Sequence, residues 1–163
     1  MATPAAKNLI AKKSTMAASA RTQASGSLPR TFLDSNIWLY ADDDDSPGKQ
    51  SIARQLIIDH RRARSGVVSI QVLQEYFRNA TRKLKLDAGL ARRKVELMIQ
   101  FHVVVPDPDD IFAAIDLYRL HGFSFWDSMI VHMARKSNCR MLLSEDMQHE
   151  REIYGIQIVN PFK

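Results

Sequence analysis

The chain has 163 residues, of which 45% are hydrophobic and 25% charged, as is typical of one globular domain. No apolar run approaches the roughly 20 residues that cross a bilayer, which excludes a membrane protein. The single cysteine, Cys139, excludes an internal disulfide and fits a reducing compartment, so we expect a cytoplasmic protein.

The net charge of +5 comes from the first 30 residues, which contain five basic residues and no acidic one. Residues 31–163 contain 18 of each and are neutral. The first 30 residues are rich in Ala, Ser, Thr and Lys, so we predict a disordered basic tail over 1–30 and one folded domain over 31–163. Because the excess charge belongs to the tail, the basic isoelectric point is weak evidence for nucleic-acid binding. The tail's composition also suits an organelle transit peptide, and its role stays open.

The first half of the folded part begins with a short apolar run at 31–33, which predicts a buried strand ending at Asp34. Ser46 and Pro47 then predict the start of a helix, since proline suits the first helical turn. A second strand is predicted at 66–70 and leads directly into a helix that contains Glu75. Asp87 predicts the cap of a further helix.

The second half continues the alternation, with a predicted strand at 103–105 and a helix that begins at Asp109 and stops at Gly122. Ser124 predicts the start of another helix, in which we expect Trp126 to pack into the core. Strands are predicted at 141–143 and 156–159. Short apolar strands separated by amphipathic helices predict a three-layer α/β/α domain around a parallel sheet of about five strands.

Four acidic side chains are predicted to meet at one edge of this sheet. Asp34 and Asp146 follow strands, and Glu75 and Asp127 lie in the first turns of helices that open onto the same edge. Singly, each has a structural explanation: a turn at 34–36, an exposed helix residue, or a helix cap at 124–127 and again at 144–146. Together they would repel one another unless a cation compensated them. All-oxygen ligands favour Mg²⁺ or Mn²⁺ over zinc, and Mg²⁺ on carboxylates typically serves phosphate chemistry.

Two runs of charge have less specific meanings. Residues 42–45 are all acidic, and we interpret them as a solvated loop before the next helix. Local basic clusters are typical of solvated helix faces, and alternatively steer RNA phosphates towards the acidic pocket; their members are Arg61, Arg62, Arg64, Arg78, Arg82, Lys83 and Lys85.

The acidic segments resemble those of the PIN-domain family, and specifically the VapC-type toxins of bacterial toxin–antitoxin pairs. The matching segments are 32–37 (FLDSNI), 69–76 (SIQVLQEY), 125–130 (FWDSMI) and 142–148 (LLSEDMQ), and the resemblance covers 31–162. It implies a Mg²⁺-dependent endoribonuclease, with Mn²⁺ able to substitute, that forms a homodimer. It also implies inhibition by a small antitoxin whose tail enters the acidic groove.

The resemblance assigns the metal site to Asp34, Glu75, Asp127 and Asp146, with Asn36 and Ser144 as polar groups near the metal. Asp34 and Asp127 are expected to bind the ion directly, while Glu75 and Asp146 complete the site or orient the attacking water. Glu145 adjoins Asp146, and the family match favours Asp146.

Other functions remain as alternatives. A degenerate PIN fold that binds RNA or protein would lack one of the four acids, and all four are present. Aspartyl-phosphate phosphatases require a second acid where this chain has Asn36, and receiver domains require a lysine at a late strand end. The RNA that is cleaved and the identity of the antitoxin cannot be deduced from the chain.

Overall fold

The computed structural model describes residues 29–163, which fold around one six-stranded sheet. The predicted tail at 1–30 lies outside the described residues except for Pro29 and Arg30. Within 29–163 there are six helices, and none has the length and apolar character to span a membrane. In chain order the elements are β1 (Thr31–Leu33), α1 (Ser35–Ala41), α2 (Pro47–Arg62), β2 (Gly66–Ser69), α3 (Ile70–Arg82), α4 (Ala88–Met98), β3 (His102–Val104), α5 (Pro108–His121), α6 (Phe125–Lys136), β4 (Met141–Leu143), β5 (Glu152–Ile153) and β6 (Ile156–Val159).

The strand order is β3-β2-β1-β4-β6-β5, and every pair is parallel except β5 with β6. The central strands β1 and β2 are buried along their whole length, as expected for a sheet covered on both faces. Helices α2 and α3 contact β2, whereas α6 contacts β2, β4 and β6 and packs against α5. This confirms the predicted α/β class with a central, mostly parallel sheet.

Three local features differ from what the sequence suggested, where the turn at 34–36 was only an alternative interpretation. The segment after Asp34 is the helix α1 rather than a turn, because the Asp34 side chain accepts a hydrogen bond from the Ser35 N–H and caps it. Helix α5 begins at Pro108, not at Asp109, because Asp107 and Asp110 form a reciprocal capping box around its first turn. The additional strand β5 makes a two-residue hairpin with β6.

The acidic run at 42–45 is not uniformly solvated. The side chain of Asp42 is only 10% exposed and accepts hydrogen bonds from the Tyr76 hydroxyl (2.7 Å) and the Lys94 ammonium (2.5 Å). Burial, together with the hydrogen bond to Asp42, raises the pKa of Tyr76 well above its usual value. Asp42 therefore joins α1 to α3 and α4, and only the residues after it fit the predicted loop.

Gly66, at the start of β2, is required by close packing. A Cβ at this position would lie 2.5 Å from Cδ1 of Phe101, whose ring packs edge-on against the buried Trp38. We expect Gly66→Ala to lower the free energy of unfolding by about 1–3 kcal/mol, because the confined ring must move. Gly48→Ala, in the first turn of α2 with nothing within 4 Å, is the control and should be neutral or stabilising. Urea denaturation of both variants tests this, and equal stabilities would contradict it.

Candidate metal centre

Two of the four predicted acids lie side by side at the carboxyl edge of the sheet. Asp34 follows β1 and Asp146 follows β4, and these strands are parallel neighbours with Leu33 paired to Leu143. The Asp34 N–H donates to the Leu143 carbonyl (3.0 Å), which fixes the end of β1 against β4. The strand pairing therefore positions both carboxylates.

Asp34 is 5% exposed and is the most desolvated of the four acids. Burial raises its pKa to about 7, although hydrogen bonds from the Ser144 hydroxyl (2.7 Å) and the Ser35 N–H (2.7 Å) lower it. The charges of Glu75 and Asp146 raise the pKa further. The ionised form of Asp34 is therefore unfavourable here unless a positive charge compensates it.

Asn36 joins Asp34 to Asp146. Its Nδ2 donates to Oδ2 of Asp146 (3.2 Å) and lies 3.4 Å from both Oδ2 of Asp34 and Oγ of Ser144. Ser144 is fully buried, donates to Asp34 and accepts from the Asp146 N–H (3.2 Å). The Oδ1 atom of Asn36 is buried and has no hydrogen-bond partner among the described residues. The hydrogen-bonding capacity of this amide oxygen is therefore not used by the described residues.

Glu75 is connected to the same cluster through Ser35, whose hydroxyl donates to Oε2 of Glu75 (2.8 Å). Oε1 accepts from Nε2 of Gln71 (2.7 Å), which also lies 3.3 Å from the Trp126 carbonyl at the start of α6. Ser35 and Gln71 were not among the predicted site residues. Gln71 had a usable signal, since it precedes Glu75 by four residues and so shares its helix face.

Asp127 lies apart from the other three acids in its contacts. Its Oδ2 accepts from the Ser124 hydroxyl (2.7 Å) and its N–H donates to Ser124 Oγ (3.1 Å), so the pair caps α6. Its neighbour Trp126 is 63% exposed, and the prediction that Trp126 packs in the core is wrong. Through the Gln71 contact to Trp126, the start of α6 nonetheless faces the Glu75 side of the cluster.

Glu145 and Asp146 point to different partners. Glu145 forms an ion pair with Lys49, whose ammonium also lies over the Tyr40 ring, 4.3 Å from its centroid. Partial burial alone would raise the pKa of Glu145, but Lys49 and the Tyr40 hydroxyl hold it below its usual value. The cation of Lys49 thus compensates Glu145, whereas Asp146 contacts Asn36.

A cavity of about 340 Å³ opens beside this cluster. The polar side chains that line it include Ser35, Asn36, Glu75, Glu145 and Asp146, together with Lys83 from the end of α3. A lysine beside carboxylates is a suitable contact for a substrate phosphate. The cleft therefore combines an acidic floor with a cationic side chain.

The donor atoms suit a hard divalent cation. The cluster offers carboxylate oxygens, the unpartnered amide oxygen of Asn36, and a buried carboxyl whose ionised form needs a positive charge. Within residues 29–163, however, no three His, Cys, Asp or Glu side chains approach closely enough to surround one ion. The oxygen ligands are of the type that Mg²⁺ prefers, but among the described residues the side chains do not converge on one ion position.

The fold and the site together define an α/β domain that has an acidic cleft at the carboxyl edge of its sheet. The family model of the PIN domain matches residues 31–151, and the chain belongs to the PIN domain family. This confirms the resemblance drawn from the acidic segments.

Solved toxin structures share the fold. VapC20 of Mycobacterium tuberculosis, a toxin that cleaves the sarcin–ricin loop, is 20% identical, with a TM-score of 0.57 over 69% of this chain and 86% of that one. A toxin–antitoxin complex from Klebsiella pneumoniae gives 16% identity and a TM-score of 0.59, covering 80% of this chain and 97% of that one. VapBC2 of Rickettsia felis, bound to a promoter DNA fragment, is 16% identical, with a TM-score of 0.53 over 78% of this chain and 96% of that one. No curated protein matches the sequence.

Proposed function

We propose that this protein is a metal-dependent endoribonuclease that acts as the toxin of a toxin–antitoxin pair, with Mg²⁺ as cofactor and Mn²⁺ as a substitute. The observation that carries the proposal is the buried carboxyl of Asp34, joined through Asn36 to Asp146 and through Ser35 to Glu75. Membership of the PIN family and the fold shared with VapC toxins support it.

Each residue has a proposed role. Asp34 and Asp127 would bind the ion directly, and Glu75 and Asp146 would complete the site or orient the attacking water. Asn36 and Ser144 hold the Asp34 carboxylate in place, since both contact its Oδ2. The hydrogen bonds of Asp127 to described residues engage only Oδ2, which leaves Oδ1 available. When bound, Mg²⁺ supplies a water of lowered pKa and neutralises phosphate charge.

The partners are proposed on the same basis. A basic antitoxin segment suits the acidic cleft, and an apolar cavity of about 290 Å³ between α1, α2 and α4 offers an apolar anchor site. The Nε1 of Trp38, which lines this cavity, is buried without a partner among the described residues. For the homodimer we propose the outer face of α5, where Phe112 is 65% and Tyr118 53% exposed, because a free apolar helix face favours association.

A pair of adjacent acids gives a matched test of the enzyme. We expect the full chain to cleave RNA with Mg²⁺ and not with chelator, and Asp146→Asn to reduce the cleavage rate by about 10–100-fold. Glu145→Gln removes the same charge one residue away and should stay within a few-fold of wild type, because Glu145 contacts Lys49 instead of the cluster.

Gel-based cleavage assays measure these rates, and expression in bacteria with and without the neighbouring reading frame tests the toxin role. Growth arrest should follow expression of the wild type and not of Asp146→Asn. Cleavage that persists in chelator, or equal losses in the two variants, would contradict the proposal.

A further inference from the structure

A second polar cavity lies at the opposite, amino-terminal edge of the sheet. It has a volume of about 490 Å³ and is lined by arginine and histidine side chains from separate segments. These are Arg30 before β1, His60 and Arg61 at the end of α2, Arg64 after it, and His102 at the start of β3. We call it the amino-edge pocket.

The arginines of the amino-edge pocket are not paired with acids in the part of the chain that the structure describes, although Asp59 lies near His60. No carboxylate lines it, and none of its three arginines takes part in an ion pair among residues 29–163. Arg30 donates to the Ser137 carbonyl (3.2 Å) and Arg61 to Oε1 of Gln100 (2.6 Å), both of which are neutral. By contrast Lys49, Lys94 and Lys136 each contact an acid. The arginines therefore keep their charge available to an external anion.

The ordinary structural explanation covers only part of the cluster. The carbonyls at the end of a helix attract cations, which accounts for Arg61 at the end of α2. It does not account for Arg30, which precedes β1, or for His102, at the start of β3; these two strands lie on either side of β2. Burial lowers the pKa of His60, which disfavours its charged form, whereas the three arginines stay charged.

Arg64 occupies a backbone position that favours another residue type. Its φ is +53°, in the left-handed region that glycine and asparagine adopt most readily after a helix. An arginine here carries backbone strain that a glycine would relieve. The exposed side chain of Arg64 lines the pocket, so the strained backbone position adds a positive charge to the pocket.

The location of the pocket separates it from the acidic cleft. Asp34 and Asp146 follow the carboxyl ends of β1 and β4, whereas Arg30, Gly66 and His102 mark the amino ends of β1, β2 and β3. The predicted basic clusters thus divide: Lys83 lines the acidic cleft, while Arg61 and Arg64 face the other edge.

We propose that the amino-edge pocket binds backbone phosphates of the RNA substrate away from the site of cleavage. Exposed arginines from two separate segments, one before β1 and one at the end of α2, suit a polyanion better than a small free anion. Binding of a polyanion is driven by release of counterions, whereas a small anion needs buried donors. The choice of RNA as the polyanion rests on the proposed function. A bound RNA would then contact both edges of the sheet.

The test measures RNA binding without cleavage, by fluorescence anisotropy with a labelled single-stranded RNA of about 25 nucleotides, which is longer than one compact site needs. All proteins are the full chain with Asp34→Asn, in chelator. Arg61→Gln/Arg64→Gln is compared with Arg93→Gln/Arg119→Gln, which removes two exposed arginines outside the pocket. We expect the first pair to weaken binding about tenfold and to reduce the slope of log Kd against log salt by about 1.4, since each lost phosphate contact contributes about 0.7. The control pair should change Kd by no more than about twofold.

A further variant separates binding from structure. Arg64→Gly should raise Tm by about 2 °C, because the strain is relieved, and should still weaken RNA binding. Equal losses in the two double variants, an unchanged salt slope in the Arg61/Arg64 pair, or full affinity in Arg64→Gly would overturn the proposal. Because no metal or turnover is involved, absence of nuclease activity would contradict the proposed function and leave this result intact.

Discussion

Asp34→Asn is expected to reduce the rate of RNA cleavage by at least about 100-fold, the upper end of what the loss of a supporting group near a metal causes. The reason is that Asp34 is the acid held most firmly: Ser35, Asn36 and Ser144 all contact its carboxylate. Asparagine at this position has nearly the same shape as aspartate but lacks the negative charge that binds a cation. RNA cleavage under saturating Mg²⁺ measures this effect.

The fold should survive this substitution. Asparagine caps helices as well as aspartate, so the hydrogen bond from the Ser35 N–H and the start of α1 are retained. Asp44→Asn, in the exposed loop before α2, removes the same charge and should leave cleavage unchanged. A native circular dichroism spectrum with lost activity is the expected combination, and an active Asp34→Asn protein would contradict the role of Asp34.

The second large effect is a stability that depends on pH and Mg²⁺ through Asp34. Burial raises the pKa of Asp34 from 3.8 to about 7, so the native state holds a proton that the unfolded state releases at lower pH. Without metal, the free energy of unfolding should therefore decrease as the pH rises from about 4 to about 7 and stay low above it. The rise in pKa corresponds to roughly 4 kcal/mol.

Magnesium should reverse this loss where Asp34 is ionised. At about pH 8 we expect saturating Mg²⁺ to raise the free energy of unfolding by roughly 2–3 kcal/mol, and near pH 5 by much less, because the carboxyl is then protonated. Asp34→Asn in chelator should lack this contribution to the pH dependence and be more stable than wild type at the higher pH. Urea denaturation of both proteins, with Mg²⁺ or chelator at each pH, measures it. Identical pH dependence of the unfolding free energy in wild type and variant would contradict the raised pKa of Asp34.

The sequence predicted the general position of the acidic cluster because the relevant signals are local. Apolar runs identified β1 and β4, and the acids that follow parallel neighbouring strands must lie at one edge. Glu75 could be placed because its helix begins directly after β2. The family could be recognised for the same reason, since its acidic segments are tied to strand ends and helix starts.

Other features depended on contacts that no short segment encodes. Helix α1 has seven residues, too few for a clear periodic pattern, and its N-cap is Asp34, for which the sequence suggested a metal ligand or a turn. The strand β5 has two residues and exists through its antiparallel pairing with β6. The burial of Asp42 depends on Tyr76 and Lys94, which lie 34 and 52 residues further along the chain.

The choice between Glu145 and Asp146 shows the same limit. Both acids follow β4, and their local sequence does not distinguish them. In the structure the difference comes from Lys49 on α2, which pairs with Glu145, and from Asn36 on α1, which contacts Asp146. Asp127 is a second case, because its side chain serves the cap of α6 and its assignment as a ligand remains a prediction.

Diffraction from crystals grown with Mn²⁺ tests the metal centre most directly, because anomalous scattering locates the ion without assumptions about activity. We predict an anomalous peak at about 2.1 Å from carboxylate oxygens of Asp34, with Asp127, Glu75 and Asp146 as direct or water-mediated neighbours. A peak elsewhere on the molecule, or a cleft that stays empty at saturating Mn²⁺ while the protein cleaves RNA, would contradict the account.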